Sequence, residues 1–251
     1  SARFNSSLAV AFSSIATPTI TPLSEREQEN PMSLIKPHGA EALIPRIVTG
    51  ERLTALTQEA TDLKAITISS AAAANAVMLA AGYFTPLSGY MDRADALDVA
   101  RDLRTTKGLF WPVPVLNMVP EFEGEAGDRV ALRDPNVDGN PVLAVMEITG
   151  IDTLSDDDMS LMTREIFGTE DPAHPGVATF NSQGRVLLSG PVEVLNYSYF
   201  QADFPETFRT AMEIRDEIAQ RGWQRVVAFQ TRNPMHRAHE ELCRMAMDDL
   251  D

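Results

Sequence analysis

The residues best equipped for chemistry sit close together, in Gln230-Thr231-Arg232-Asn233-Pro234-Met235-His236-Arg237-Ala238-His239. This short stretch offers two amides, two guanidinium groups and two imidazoles, all able to donate hydrogen bonds. Arg232 presents a planar fork of donors that suits a tetrahedral or planar oxyanion. Gln230 and Arg232 alternate with Thr231 and so can project into one crevice. His236 and His239 are three positions apart and share a face of any helix that carries them. The set is suited to neutralising and aligning anions. A zinc reading is weaker, because zinc wants a third ligand and usually a supporting carboxylate. Glu240 falls on another side of the helix, and no His-Glu-x-x-His pattern is present.

The elements that must position these residues follow from the flanking text. Val226, Val227, Ala228 and Phe229 leave no polar face for water, so they read as a buried strand. Asn233-Pro234 breaks that strand, since the residue before a proline is pushed away from helical angles. From Arg237 onward, Ala238, Glu240, Glu241, Leu242, Arg244, Met245, Ala246 and Met247 favour a helix. The polar loop therefore lies between the carboxyl end of a strand and the amino end of a helix. In open α/β sheets that is where anions bind, because free N–H groups and the helix dipole point there. Pro205–Arg221 upstream reads as an amphipathic helix with Phe208, Met212 and Ile218 on one side and Gly222 at its close. Helix, strand, loop and helix in succession are the alternation of a doubly wound sheet.

Earlier parts of the chain read as a separate layer of structure. Residues 1–31 are rich in Ser, Thr and Pro without sustained periodicity and are expected to form a flexible extension. Met32 looks like a natural start. Leu53, Leu56, Ala60 and Leu63 have helical spacing, and Ala65–Ile68 is a short strand signal. Ser70–Ala81 reads as a Ser-capped helix closed by Gly82. Tyr83–Met91 is a turn-rich loop, and Asp92–Thr105 is a second helix. Phe110–Val119 reads as an edge strand, because its prolines cannot donate to a central ladder. Asp128–Asp134 and Val142–Thr149 form a hairpin around the turn at 135–140. Asp152–Phe167 is a polar helical connector, and the Pro- and Gly-containing stretch 168–176 is the expected domain boundary. Arg185–Leu188 and Val192–Leu195 are expected to be two strands joined by a turn at Ser189-Gly190-Pro191.

Composition narrows the function classes. The chain has 251 residues, 44% of them hydrophobic and 23% charged, as in an ordinary globular protein. A net charge of −15 argues against nucleic acid as a partner, because phosphate backbones need a basic face. An anionic substrate must therefore be drawn in by a local positive site. The single cysteine, Cys243, excludes an internal disulfide framework and suits the cytoplasm. No apolar run approaches the roughly 20 residues of a membrane span.

The loop Gln230–His239 resembles the signature of the ATP sulfurylase (sulfate adenylyltransferase) family, Gln-x-Arg-Asn-Pro-x-His-x-x-His. Two further stretches are similar to the same family, Gly82–Met91 and Phe110–Val115. The resemblance implies α/β architecture: a PUA-like N-terminal domain of strands and helices over 32–167, then the first part of a Rossmann-like nucleotidyltransferase domain over 168–251. It implies the reaction of ATP, with Mg²⁺, and sulfate to adenosine 5′-phosphosulfate and pyrophosphate. Gln230 and Arg232 would hold sulfate, and Thr231, Arg232 and Asn233 are the catalytic positions. Gln230, Thr231, Arg232, Asn233, His236 and His239 would contact ATP, with no metal ligand from the protein. Family members commonly form homo-oligomers. Sulfate has no proton to lose at neutral pH, so fixed donors and Mg²⁺ can serve without a general base.

The chain departs from the family in lacking the later Gly-Arg-Asp-His-Ala-Gly-type motif, and the 251 residues alone are expected to be inactive. No Gly-x-x-x-x-Gly-Lys-Ser/Thr is present, so a fused adenylylsulfate kinase is not expected here. Two alternatives have their own discriminators. Another nucleotidyltransferase of the superfamily would take an organic phosphate acceptor in place of sulfate. A truncated relative with a binding or scaffolding role would be indifferent to loss of Arg232.

Overall fold

The computed structural model describes residues 34–231 and 233–250. The expectations for residues 1–31 and for Met32 lie outside them. Two compact units are present, one spanning Lys36–Met212 and the other including Glu213–Asp251.

The first unit begins with α1 (Gly50–Ala60), β1 (Lys64–Thr67) and α2 (Ser70–Ala80). Ser69 caps α2 by accepting from the Ala72 amide at 3.1 Å, and Gly82, at φ +80°, follows its end. Then come β2 (Gly89–Tyr90), α3 (Arg93–Asp102) and β3 (Met118–Val119). The hairpin of β4 (Arg129–Arg133) and β5 (Val142–Glu147) is antiparallel, as two apolar runs joined by a turn predict, with β1 added parallel to β4. The unit continues through β6 (Gly150–Thr153), α4 (Asp156–Phe167), α5 (Pro175–Ser182), β7 (Val186–Val194) and α6 (Phe200–Asp203). Packed on the sheet, the alanine face of α2 buries Ala72, Ala73, Ala76 and Ala80 in one core with Leu132, Leu143, Met146 and Leu188. Small side chains let that helix approach closely. A second core joins α3, α4 and α5 through Ala96, Met159, Met162 and Phe180.

β7 organises this curled half-barrel sheet. Its first half pairs with β6 and β3, and its second half with β5 and β2. The turn expected at Ser189-Gly190-Pro191 is therefore a pivot inside one nine-residue strand. Gly190, at φ +144°, permits it: a Cβ there would lie 2.0 Å from the Glu147 carbonyl oxygen. Because β7 completes the sheet, residues 168–212 stay with the first unit.

Other expectations also shift. The edge strand over 110–119 reduces to Met118–Val119 plus a single bridge between Phe110 and Arg104, because Pro112 and Pro114 bring no N–H. The helix expected from Pro205 begins at Ala211, as α7 (Ala211–Arg221). Phe208 is held upstream of it against Tyr197 and Phe200, at 5.2 and 5.9 Å between rings.

In the second unit, α8 (Arg237–Leu250) forms as its composition predicts. The buried strand expected at 226–229 does not. Among the described residues nothing pairs with it, and Val226, Val227 and Phe229 are 53%, 56% and 43% exposed. An apolar run becomes a strand only where a neighbour supplies its ladder. Leu242 and Met245 of α8 are exposed as well. No helix among the described residues is long and apolar enough to cross a membrane.

Candidate functional site

The loop before α8 is shaped by short-range bonds. Thr231 Oγ1 accepts from the Asn233 amide at 3.2 Å and donates to the Asn233 carbonyl at 3.1 Å. This closes a tight turn at the residue preceding Pro234, where the backbone is already restricted. Gln230, Thr231, Asn233 and His236 are exposed. Arg232 lies outside the described residues. Helix α8 opens immediately after His236, whose carbonyl accepts from the Glu240 amide at 3.1 Å.

The two histidines come together as their spacing predicts. Their rings stack at 3.9 Å between centroids with 28° between planes. His239 is half-buried, and its other neighbour is Phe229, at 5.4 Å and 52°. Its Nδ1 atom is buried without a hydrogen-bond partner among the described residues. Glu240, the nearest acid in the chain, is engaged by Arg244 at 2.6 Å, one turn along the helix. That pairing offsets a negative charge beside the loop. Among the described residues no group of three or more His, Cys, Asp or Glu could hold a metal ion. An amide, a threonine turn, an imidazole pair and the amino end of α8 thus lie along one short stretch with its nearest acid paired. Such a stretch can take an anion with several oxygens.

The other two family-like stretches meet in the first unit. Phe84 packs edge-on against Trp111 at 5.7 Å, and the Thr85 hydroxyl accepts from the Ile44 amide at 3.0 Å. With His38, Tyr83, Phe110 and Val113 they line an open cleft of about 380 Å³. Phe229 was legible only as a strand residue, and its contact with His239 spans ten positions, beyond the helical spacing that links the histidines.

Residues 35–197 match the PUA-like domain family, and residues 205–251 match the ATP-sulfurylase family. The chain belongs to the PUA-like domain family, and the segment that carries the loop is the part similar to ATP sulfurylase. Several sulfate adenylyltransferases resemble this chain. That of Allochromatium vinosum is 59% identical over 220 residues, which are 87% of this chain and 55% of that protein. That of the Riftia pachyptila sulfur-oxidizing endosymbiont is 53% identical, over 87% of this chain and 50% of the relative. The chain spans about half the length of the curated relatives it matches. A solved structure, a hexameric APS kinase from Thiobacillus denitrificans, superposes with a TM-score of 0.67 at 27% identity. The match covers 86% of this chain and 38% of that one.

Proposed function

We propose that this chain supplies the anion-binding loop of a sulfate adenylyltransferase, in which sulfate attacks the α-phosphorus of MgATP in line. Adenosine 5′-phosphosulfate and pyrophosphate are the products. Glu213–Asp251 is then the first part of the nucleotide-binding domain. Gln230 and Arg232 hold sulfate. Thr231, Arg232 and Asn233 shape and line the point of transfer. Gln230 through Asn233, with His236 and His239, contact the nucleotide, and the histidines meet the phosphate charge that grows as pyrophosphate departs. Both reactants are anions and sulfate is a poor nucleophile, so alignment and charge neutralisation are the problem to solve. Fixed donors meet it without an acid–base residue. The magnesium travels with the nucleotide. Cytoplasmic location belongs to the same proposal, and so does homo-oligomeric assembly, as in the hexameric Thiobacillus denitrificans protein.

One observation carries this reading: the stacked His236–His239 pair opens α8 directly behind the Thr231–Asn233 turn, within the segment that matches the ATP-sulfurylase family. A chimera tests it, with this chain replacing the matching part of the Allochromatium vinosum relative. Pyrophosphate release that depends on sulfate, or on its analogue molybdate, supports the reading. Release that depends only on an organic phosphate acceptor favours another nucleotidyltransferase.

A further inference from the structure

Phe229 stands just outside the signature stretch, and its apolar character suggested nothing beyond a strand. Three rings lie in sequence across the loop: Phe229 against His239 at 5.4 Å, and His239 against His236 at 3.9 Å. His239 is therefore in contact with both rings, and its Nδ1 is shut away from water and from every described polar partner.

A neutral imidazole carries its proton on one nitrogen and a lone pair on the other. A proton on the His239 Nδ1 would make a buried, unmet N–H donor, and such donors are rarer in folded proteins than unmet acceptors. With the proton on Nε2, the lone pair is turned inward and the ring keeps an N–H to donate. The nitrogen that binds outside is decided by the environment of the other one. We infer that Phe229 is a positioning residue: by covering His239 it fixes the Nε2–H tautomer, so that the loop offers a donor to a phosphate oxygen. The inference rests on the adenylyltransferase reading only for the identity of the anion; the tautomer itself belongs to the chain as it stands.

Long-range ¹H–¹⁵N spectra of the imidazoles in the 251-residue chain test this directly. The chain has four histidines, and a His239→Gln variant assigns the signals of interest. The expected spectrum shows His239 as the Nε2–H tautomer above the titration range of histidine. In Phe229→Ala the share of that tautomer falls to that of a histidine in water, because water reaches Nδ1. Phe229→Tyr, which keeps a ring in place, restores it. Circular dichroism of α8 accompanies each variant, and Phe229→Leu replaces Phe229→Ala if the latter loses helix. An Nδ1–H tautomer in the unmodified chain overturns the inference, and so does an Nε2–H share unchanged by ring removal with α8 intact. Because no sulfate enters this measurement, its failure is separable from failure of the pyrophosphate-release test.

Discussion

Asp158 is the carboxylate whose replacement most directly tests how the first unit is held together. Its side chain is 7% exposed. Arg93, the first residue of α3, donates Nη2 to Oδ1 at 2.7 Å and Nε to Oδ2 at 3.0 Å. Oδ2 also accepts from the Ser155 amide at 2.9 Å, and the Asp158 amide donates to Ser155 Oγ at 3.2 Å, forming a capping box. One side chain thus joins the starts of two helices. Asp158→Asn keeps the size and one acceptor but turns an N–H₂ towards the guanidinium. A hydrogen bond to a charged group contributes about 1.5–3 kcal/mol. Arg93 is 46% exposed and recovers part of that from water. A loss of about 2 kcal/mol follows, or a Tm lowered by about 4–8 °C for a chain of this size.

Thermal unfolding followed by circular dichroism reads it, and pH supplies the sign. The Arg93 guanidinium, with help from Ser155, holds the Asp158 carboxyl below the usual carboxylate range, against desolvation. Such a group stabilises the fold above its unfolded value, about pH 3.9, and loses that contribution as pH falls through the lower folded value. The gap between Asp158→Asn and the unmodified chain is therefore full at pH 7 and closes below about pH 4. A Tm change under about 1 °C at neutral pH, or a gap that widens in acid, refutes the reasoning.

Other expectations concern the sheet and the loop. Gly190→Ala places a methyl 2.0 Å from the Glu147 carbonyl at φ +144° and should cost about 3 kcal/mol or more, visible as a lower urea midpoint. Gln230→Leu in the active chimera should raise the KM for sulfate about tenfold, the equivalent of one hydrogen bond to a charged group. The 251-residue chain by itself should release no sulfate-dependent pyrophosphate, because Val226, Val227, Phe229, Leu242 and Met245 are exposed beside the loop they should brace. Turnover by that chain would show that the loop is held without covering these residues.

Local signals carried the parts of the fold that local forces decide. Ser69 and the alanines of α2, the apolar runs of β4 and β5 on either side of their turn, and the helix formers after His236 each act within a turn or a strand pair. Helix α5 was hidden because Pro175 and Gly176 look like linker residues. In place they begin a helix whose amides are met by His174 Nδ1. The pivot in β7 depends on strands β2, β3, β5 and β6, distant in sequence, and a Gly-Pro pair reads locally as a turn. Val226–Phe229 shows the converse: four apolar residues specify burial but cannot supply the neighbour that buries them. At the site, spacing alone brought His236 and His239 together. The Thr231–Asn233 turn was implicit in the Asn-Pro pair, whereas the Phe229 contact needed the chain folded back across the loop.

The central claim is that Arg232 and its neighbours bind sulfate for attack on ATP. The chimera with the Allochromatium vinosum relative, assayed for sulfate-dependent pyrophosphate release with and without Arg232→Ala, addresses it most directly. Release in the unmodified chimera, lost in Arg232→Ala while the protein stays folded, is the expected result. Sulfate-dependent release that persists at the same rate without the Arg232 guanidinium contradicts the account.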